Sequence, residues 1–171
     1  MRAGQESLAV GKPRAFTSIV IAGLVVGVLD FLDASIFFPL YYEIGFTDVW
    51  HGPASGLVGR EAARAGGWDT ALLGILLHFL VALCIAAVYY GASRLIPYMV
   101  RYPVRSGIVF GVAANFVMQY AVIPLSAIGK VPTWPPLGHF LNNVIGHALL
   151  VGLPLALIVR YSAGQNGPSE R

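Results

Sequence analysis

A chain of 171 residues that is 57% apolar and only 11% charged, with a mean hydropathy of +0.72, lies well to the apolar side of an ordinary soluble domain. Its net charge of +3 resides in loops and tails, and no basic cluster with interleaved aromatics points to a nucleic acid. A single cysteine, Cys84, excludes a disulfide framework, and its place inside an apolar run predicts a buried packing role.

Residues 1–14 read as a polar, basic tail. The first span covers about residues 15–40 and ends near Pro39. It is too long and too acidic for a cleaved signal peptide, and it lacks an A-x-A site at the right distance, so it reads as an uncleaved span. The stretch from 41 to 69 is the longest loop. It carries WHGP (residues 50–53) and then SGLVGREAARAGG (residues 55–67). Ser55 there can cap a short interfacial or re-entrant helix whose Arg60, Glu61 and Arg64 face water. Trp50 and Trp68 are expected at headgroup level and His51 in solvent, with a plain surface loop as the alternative. Further spans follow at about residues 71–93, 106–128 and 137–159, completing a membrane domain over residues 15–161. Each is long enough to cross a hydrocarbon core of about 30 Å. A tight, proline-rich loop with Trp134 as an interfacial anchor joins the last two, and residues 162–171 read as a disordered tail. The fold class is therefore all-α, a polytopic four-helix transmembrane bundle.

Lys and Arg set the orientation. Arg2, Lys12, Arg14, Arg94, Arg101, Arg105, Arg160 and Arg171 lie on one side, and Arg60, Arg64 and Lys130 on the other. The larger group places both termini in the cytoplasm.

The feature that needs explaining is GLVVGVLDFLD, residues 23–33. An Asp at the centre of a spanning helix costs about 2.5–3.5 kcal/mol on insertion scales. Asp30 and Asp33, three residues apart, share one helical face. The other spans carry matching faces of small and polar residues: Gly74, His78, Ala82 and Ala86; Gly107, Gly111, Asn115 and Gln119; His139, Asn143 and His147. At 1.5 Å per residue, His78, His147, Asp30 and Gln119 all fall about 12–15 Å inside the outer boundary. The candidate intramembrane site is accordingly Asp30, Asp33, His78, Asn115, Gln119, Asn143 and His147.

Three readings of that site stand at this stage. It is a pathway for protons, an ion or a small solute; or a hydrogen-bond network that only holds the helices together; or a bis-histidine haem or metal site built on His78 and His147. No catalytic residue and no cofactor is assigned, since GxSxG, a phosphate loop, HExxH and a dinucleotide fingerprint are all missing from the sequence. The expected partners are the lipid bilayer and, through outward GxxxG surfaces, a second copy or another membrane subunit.

The two halves also align. GLVVGVLDF (residues 23–31) resembles GIVFGVAANF (residues 107–116) with one residue of slack, Pro39-Leu40 matches Pro124-Leu125, and His78 matches His147. A two-fold repeat of helix pairs would set Asp30 opposite Asn115 and His78 opposite His147.

LDFLDA (residues 29–34), ASGLVG…GG (54–67), LGILLHF (73–79), AAVYY (86–90), IPLSAIG (123–129) and IGHALL (145–150) together resemble the YagU-like family of small four-span bacterial inner-membrane proteins. The tails and the WHGP segment fall outside the likeness. The resemblance implies a four-span inner-membrane protein and leaves its activity open.

Overall fold

The computed structural model describes residues 14–129 and 133–164. The expected N-terminal tail through residue 13, Lys130 and the tail from residue 165 lie outside the described residues. Among the described residues every regular element is helical, and four helices are long and apolar enough to cross a membrane: Ala15–Tyr42, Gly67–Leu95, Pro103–Leu125 and Leu137–Ala163. The chain is a multi-pass membrane protein with an all-α fold. Large apolar side chains such as Leu40, Leu76, Val109 and Leu137 cover its outer surface, as a lipid-facing bundle requires.

Helix α1 (Arg14–Tyr42) runs through Pro39 rather than ending there, and Glu43 stops it in the left-handed conformation at φ 54°. Helix α2 (Phe46–Val58) then begins at Gly45, where the Asp48 carboxylate accepts the Gly45 N–H at 3.0 Å. Ser55 therefore does not cap the helix; it lies within it and donates to the His51 carbonyl at 2.6 Å. Helix α3 (Arg60–Ala65) follows, with Arg60, Glu61 and Arg64 exposed.

The α2 segment differs from expectation in a second way. It packs on helix α4 (Gly67–Leu95) so closely that a β-carbon at Gly74 would stand 1.7 Å from the Trp50 carbonyl oxygen. Trp50 is only 1% exposed, stacked on Phe31 at 4.5 Å, rather than lying at headgroup level. His51 is 7% exposed rather than solvated, and its Nε2–H donates to the Gly67 carbonyl at 2.9 Å. The absent side chain at Gly74 is what admits α2. Trp68 is exposed, and Cys84 is exposed too, because it shares an outward stripe with Leu80 and Val88.

Helix α5 (Pro97–Arg101) links α4 to α6 (Pro103–Val117), which passes through a π turn (Met118–Val122) into α7 (Ile123–Leu125). The last span is α8 (Leu137–Gly146), a π turn (His147–Gly152) and α9 (Leu153–Gly164), so residues 162–164, expected in a tail, extend the helix. Each π turn ends two residues before a proline, Pro124 or Pro154. Proline has no N–H to donate and its ring crowds the carbonyl four residues back, and an i→i−5 turn relieves both problems. Ile123 and Leu153 accordingly bond back to Met118 and Ala148.

Small residues set the helix seams. Gly23 and Gly27 of α1 abut Leu83 and Phe79 of α4, while Gly107 and Gly111 of α6 abut Gly152 and His147. The buried core (Ala22, Val26, Ala82, Ala86, Tyr89, Val151, Leu155, Ala156 and Val159) fills the half of the bundle nearer the described chain ends. There Tyr89 joins α4 to α6, ring against Phe110 at 4.9 Å and hydroxyl on Ser106 at 3.2 Å. At the opposite end α2 reaches the turn that follows the third span, where Ala127 N–H donates to the Gly56 carbonyl at 2.9 Å.

Candidate functional site

The polar residues on the four spans gather into two groups. The first lies between α1, α4 and the last span. His78, about 16 Å along α4 from its start, sends Nε2 across the seam to the Gly27 carbonyl at 2.9 Å. A carbonyl only accepts, so Nε2 carries the hydrogen. The remaining nitrogen, Nδ1, faces the Asp30 carboxylate at 3.9 Å, with the His78 side chain 13% and the Asp30 side chain 23% exposed. Trp50 meets the His78 ring edge to face at 5.2 Å, and Phe79 flanks it at 5.3 Å. Aromatic rings therefore flank the His78 ring.

One turn further along α1, Asp33 accepts a hydrogen bond from the Asn142 side chain at 2.9 Å. It rests on Gly146, where a β-carbon would stand 3.4 Å from its Oδ2, and it lies near Asp30 and His147. His147 opens the π turn of the last span, and its Nδ1–H donates to the Asn143 carbonyl at 2.9 Å, leaving Nε2 as an acceptor. Asp30, Asp33, His78 and His147 are thus brought together, and Asn142 joins them.

The second group is Asn115, Gln119 and Asn143. They line a cavity with Phe116, Tyr120, Pro135 and Phe140, between the third and fourth spans. At the matching positions of the two halves, Asp30 faces His78 and Asn115 faces the amide cavity. The two halves do share a seam in which a glycine of the odd span meets the histidine of the even one, Gly27 with His78 and Gly111 with His147.

Sequence reasoning missed Asn142, Trp50 and Gly146. Asn142 and Gly146 stand four residues apart, and that polar and small pattern was the available signal. Trp50 had none, since its loop read as solvated.

As for metals and haem, among the described residues no three His, Cys, Asp or Glu side chains converge closely enough to hold a metal ion. A haem bound at His78 through Nε2 would need the nitrogen that Gly27 already engages. No family model, curated protein or solved structure matches the chain.

Proposed function

We propose that this is a bacterial inner-membrane protein, with both termini cytoplasmic, whose Asp30–His78 couple takes up and passes on a proton in the half of the bilayer nearer the periplasm. The observation that carries the reading is the fixed Nε2–H of His78. With that hydrogen held by Gly27, the exchangeable proton of the couple lies between Nδ1 and the Asp30 carboxylate, and a closing movement of about 1 Å would bring them within hydrogen-bond reach. Asp33, oriented by Asn142, and His147 stand beside them as the next acceptors. Burying two acids is expensive compared with the modest worth of interhelical hydrogen bonds, about 0.6 kcal/mol on average. The positive-inside bias of Lys and Arg supports the orientation, and the resemblance to the YagU-like family supports the inner-membrane assignment. The proposal is for a conduit or carrier and assigns no enzymatic reaction.

The competing structural reading has an observation of its own: His78, Asn142 and His147 each make a hydrogen bond inside the protein. Proteoliposomes with a trapped pH dye and an imposed potassium–valinomycin potential separate the two. Wild-type protein should carry protons above the empty-vesicle rate, and Asp30→Asn and His78→Phe should lower that flux at least tenfold while remaining monodisperse and helical. Flux equal to that of empty vesicles, or unchanged in both variants, makes the polar residues structural.

A further inference from the structure

The amide cavity is not used by the proton couple, and its chemistry is different. Asn115 is 7% exposed, Gln119 and Asn143 are half-buried, and among the described residues none of the three side-chain amides makes a hydrogen bond within the protein. Buried amides in native proteins are almost always paired, with protein, water or ligand. Asn115, the deepest, lies about 15 Å along the third span from its end at Leu125. The enclosed part of the cleft has room for about one water molecule, and the rest of its space, about 240 Å³ in all, is open to the surroundings.

The lining defines what fits. Among the described residues no charged side chain lines the cavity, so a bound ion would find no counter-charge among them. Each amide offers a donor and an acceptor edge, which selects a ligand that has both. Phe116, Tyr120 and Phe140 supply flat apolar walls, with the Phe116 and Tyr120 rings stacked at 5.9 Å and Trp134 against Phe140 at 5.3 Å. A planar, neutral group with a hydrogen-bonding edge matches walls and floor together. We infer that Asn115, Gln119 and Asn143 form a binding site for a small uncharged solute of the carboxamide or urea class, entered from the end near Pro135.

The site is tied to the proton couple through one stretch of the last span. Asn143 points its side chain into the cavity while its carbonyl accepts the His147 Nδ1–H, and its neighbour Asn142 holds Asp33. The periplasmic position of the mouth rests on the orientation proposed above; the site itself does not.

The test is a titration of the full chain in detergent micelles, with side-chain amides labelled with nitrogen-15 and formamide as the probe. Formamide should shift the Asn115, Gln119 and Asn143 side-chain signals saturably and leave Asn142 unmoved. Asn115→Leu should raise the apparent Kd at least tenfold, and Asn143→Leu serves the same purpose where Asn115→Leu fails to fold. Non-saturating shifts, shifts shared equally by Asn142, or the same shifts produced by sodium chloride overturn the proposal. Asp30→Asn should bind formamide as the wild type does, so loss of proton flux and loss of this site are read separately.

Discussion

The two helix pairs are made from the same parts and use them differently. In α1 and α4, Gly27 receives a side chain: His78 reaches across and donates to its carbonyl, and the space a β-carbon would need is taken by the movable ring of Phe79, 2.8 Å away. In the third and fourth spans, backbone meets backbone. A β-carbon at Gly111 would stand 2.1 Å from the His147 carbonyl oxygen, and one at Gly152 would stand 2.0 Å from that of Gly107. The histidine of the first pair thereby bonds across the seam, whereas the histidine of the second bonds to its own helix. A glycine and a histidine at matching positions do not fix a function. What decides is whether the glycine makes room for a side chain or for a backbone.

The largest expected effect follows from that distinction. Gly111→Ala and Gly152→Ala must push two helix backbones apart, and each should cost at least about 1–3 kcal/mol, the range for overpacking a close contact. Gly27→Ala meets the movable Phe79 ring and, at 3.3 Å, the Ala82 β-carbon but no backbone, and should cost less, about 1 kcal/mol. Equilibrium unfolding in mixed micelles measures all three. Equal losses at Gly27 and Gly111 would erase the contrast between the pairs.

The next effect is smaller and concerns the histidines. His78→Phe removes a bond between helices, and such bonds are worth about 0.6 kcal/mol on average and up to about 1.7. His147→Phe removes a bond to its own helix, whose carbonyl the next turn of backbone also serves, and should change stability by less than about 0.5 kcal/mol. In the same unfolding assay, a larger loss for His147→Phe would mean that the last span depends on its histidine as much as α4 does. A double-mutant cycle on Asp33→Ala and Asn142→Ala should return a coupling of about 0.6 kcal/mol, and a value near zero would remove Asn142 from the acid site.

How much of this could be read from the chain depends on which physical signal each part leaves. Four spans follow from apolar runs that no soluble helix would carry, and the expectation of polar groups at the depth of Asp30 follows from the rule that buried charge seeks a partner there, but that His78 is the one facing it does not. The split into two polar groups does not follow. Asn142 and Asn143 are adjacent, so they point about 100° apart on a helix, and which of them meets Asp33 is set by the rotation of the last span. That rotation is fixed by the contact of Gly111 and Gly152 with backbone, a tertiary fact. The docking of α2 was hidden for a related reason. WHGP has the composition of a wetted loop, and only Gly74, one small residue among many, makes the place where Trp50 is buried.

The smallest effect tests why the second pair is built differently at all. Both of its helices carry a π turn that ends two residues before a proline, while α1 carries Pro39 without one. If the prolines cause the turns, Pro154→Ala should let the chain rewind, with Leu153 N–H moving its bond from the Ala148 carbonyl to that of Leu149. Stability should change by no more than about 0.5 kcal/mol, since a regained hydrogen bond offsets some lost packing. The readout is therefore structural: amide hydrogen exchange and carbonyl shifts across residues 147–153. Rewinding would also rotate His147 relative to Leu155 and the rest of α9, so the His147 ring signals should move with it. An unchanged π turn in Pro154→Ala would instead assign the bulge to the crossing at Gly111, where the His147 carbonyl presses on a neighbouring backbone, and Gly111→Ala would then be the variant that shifts it.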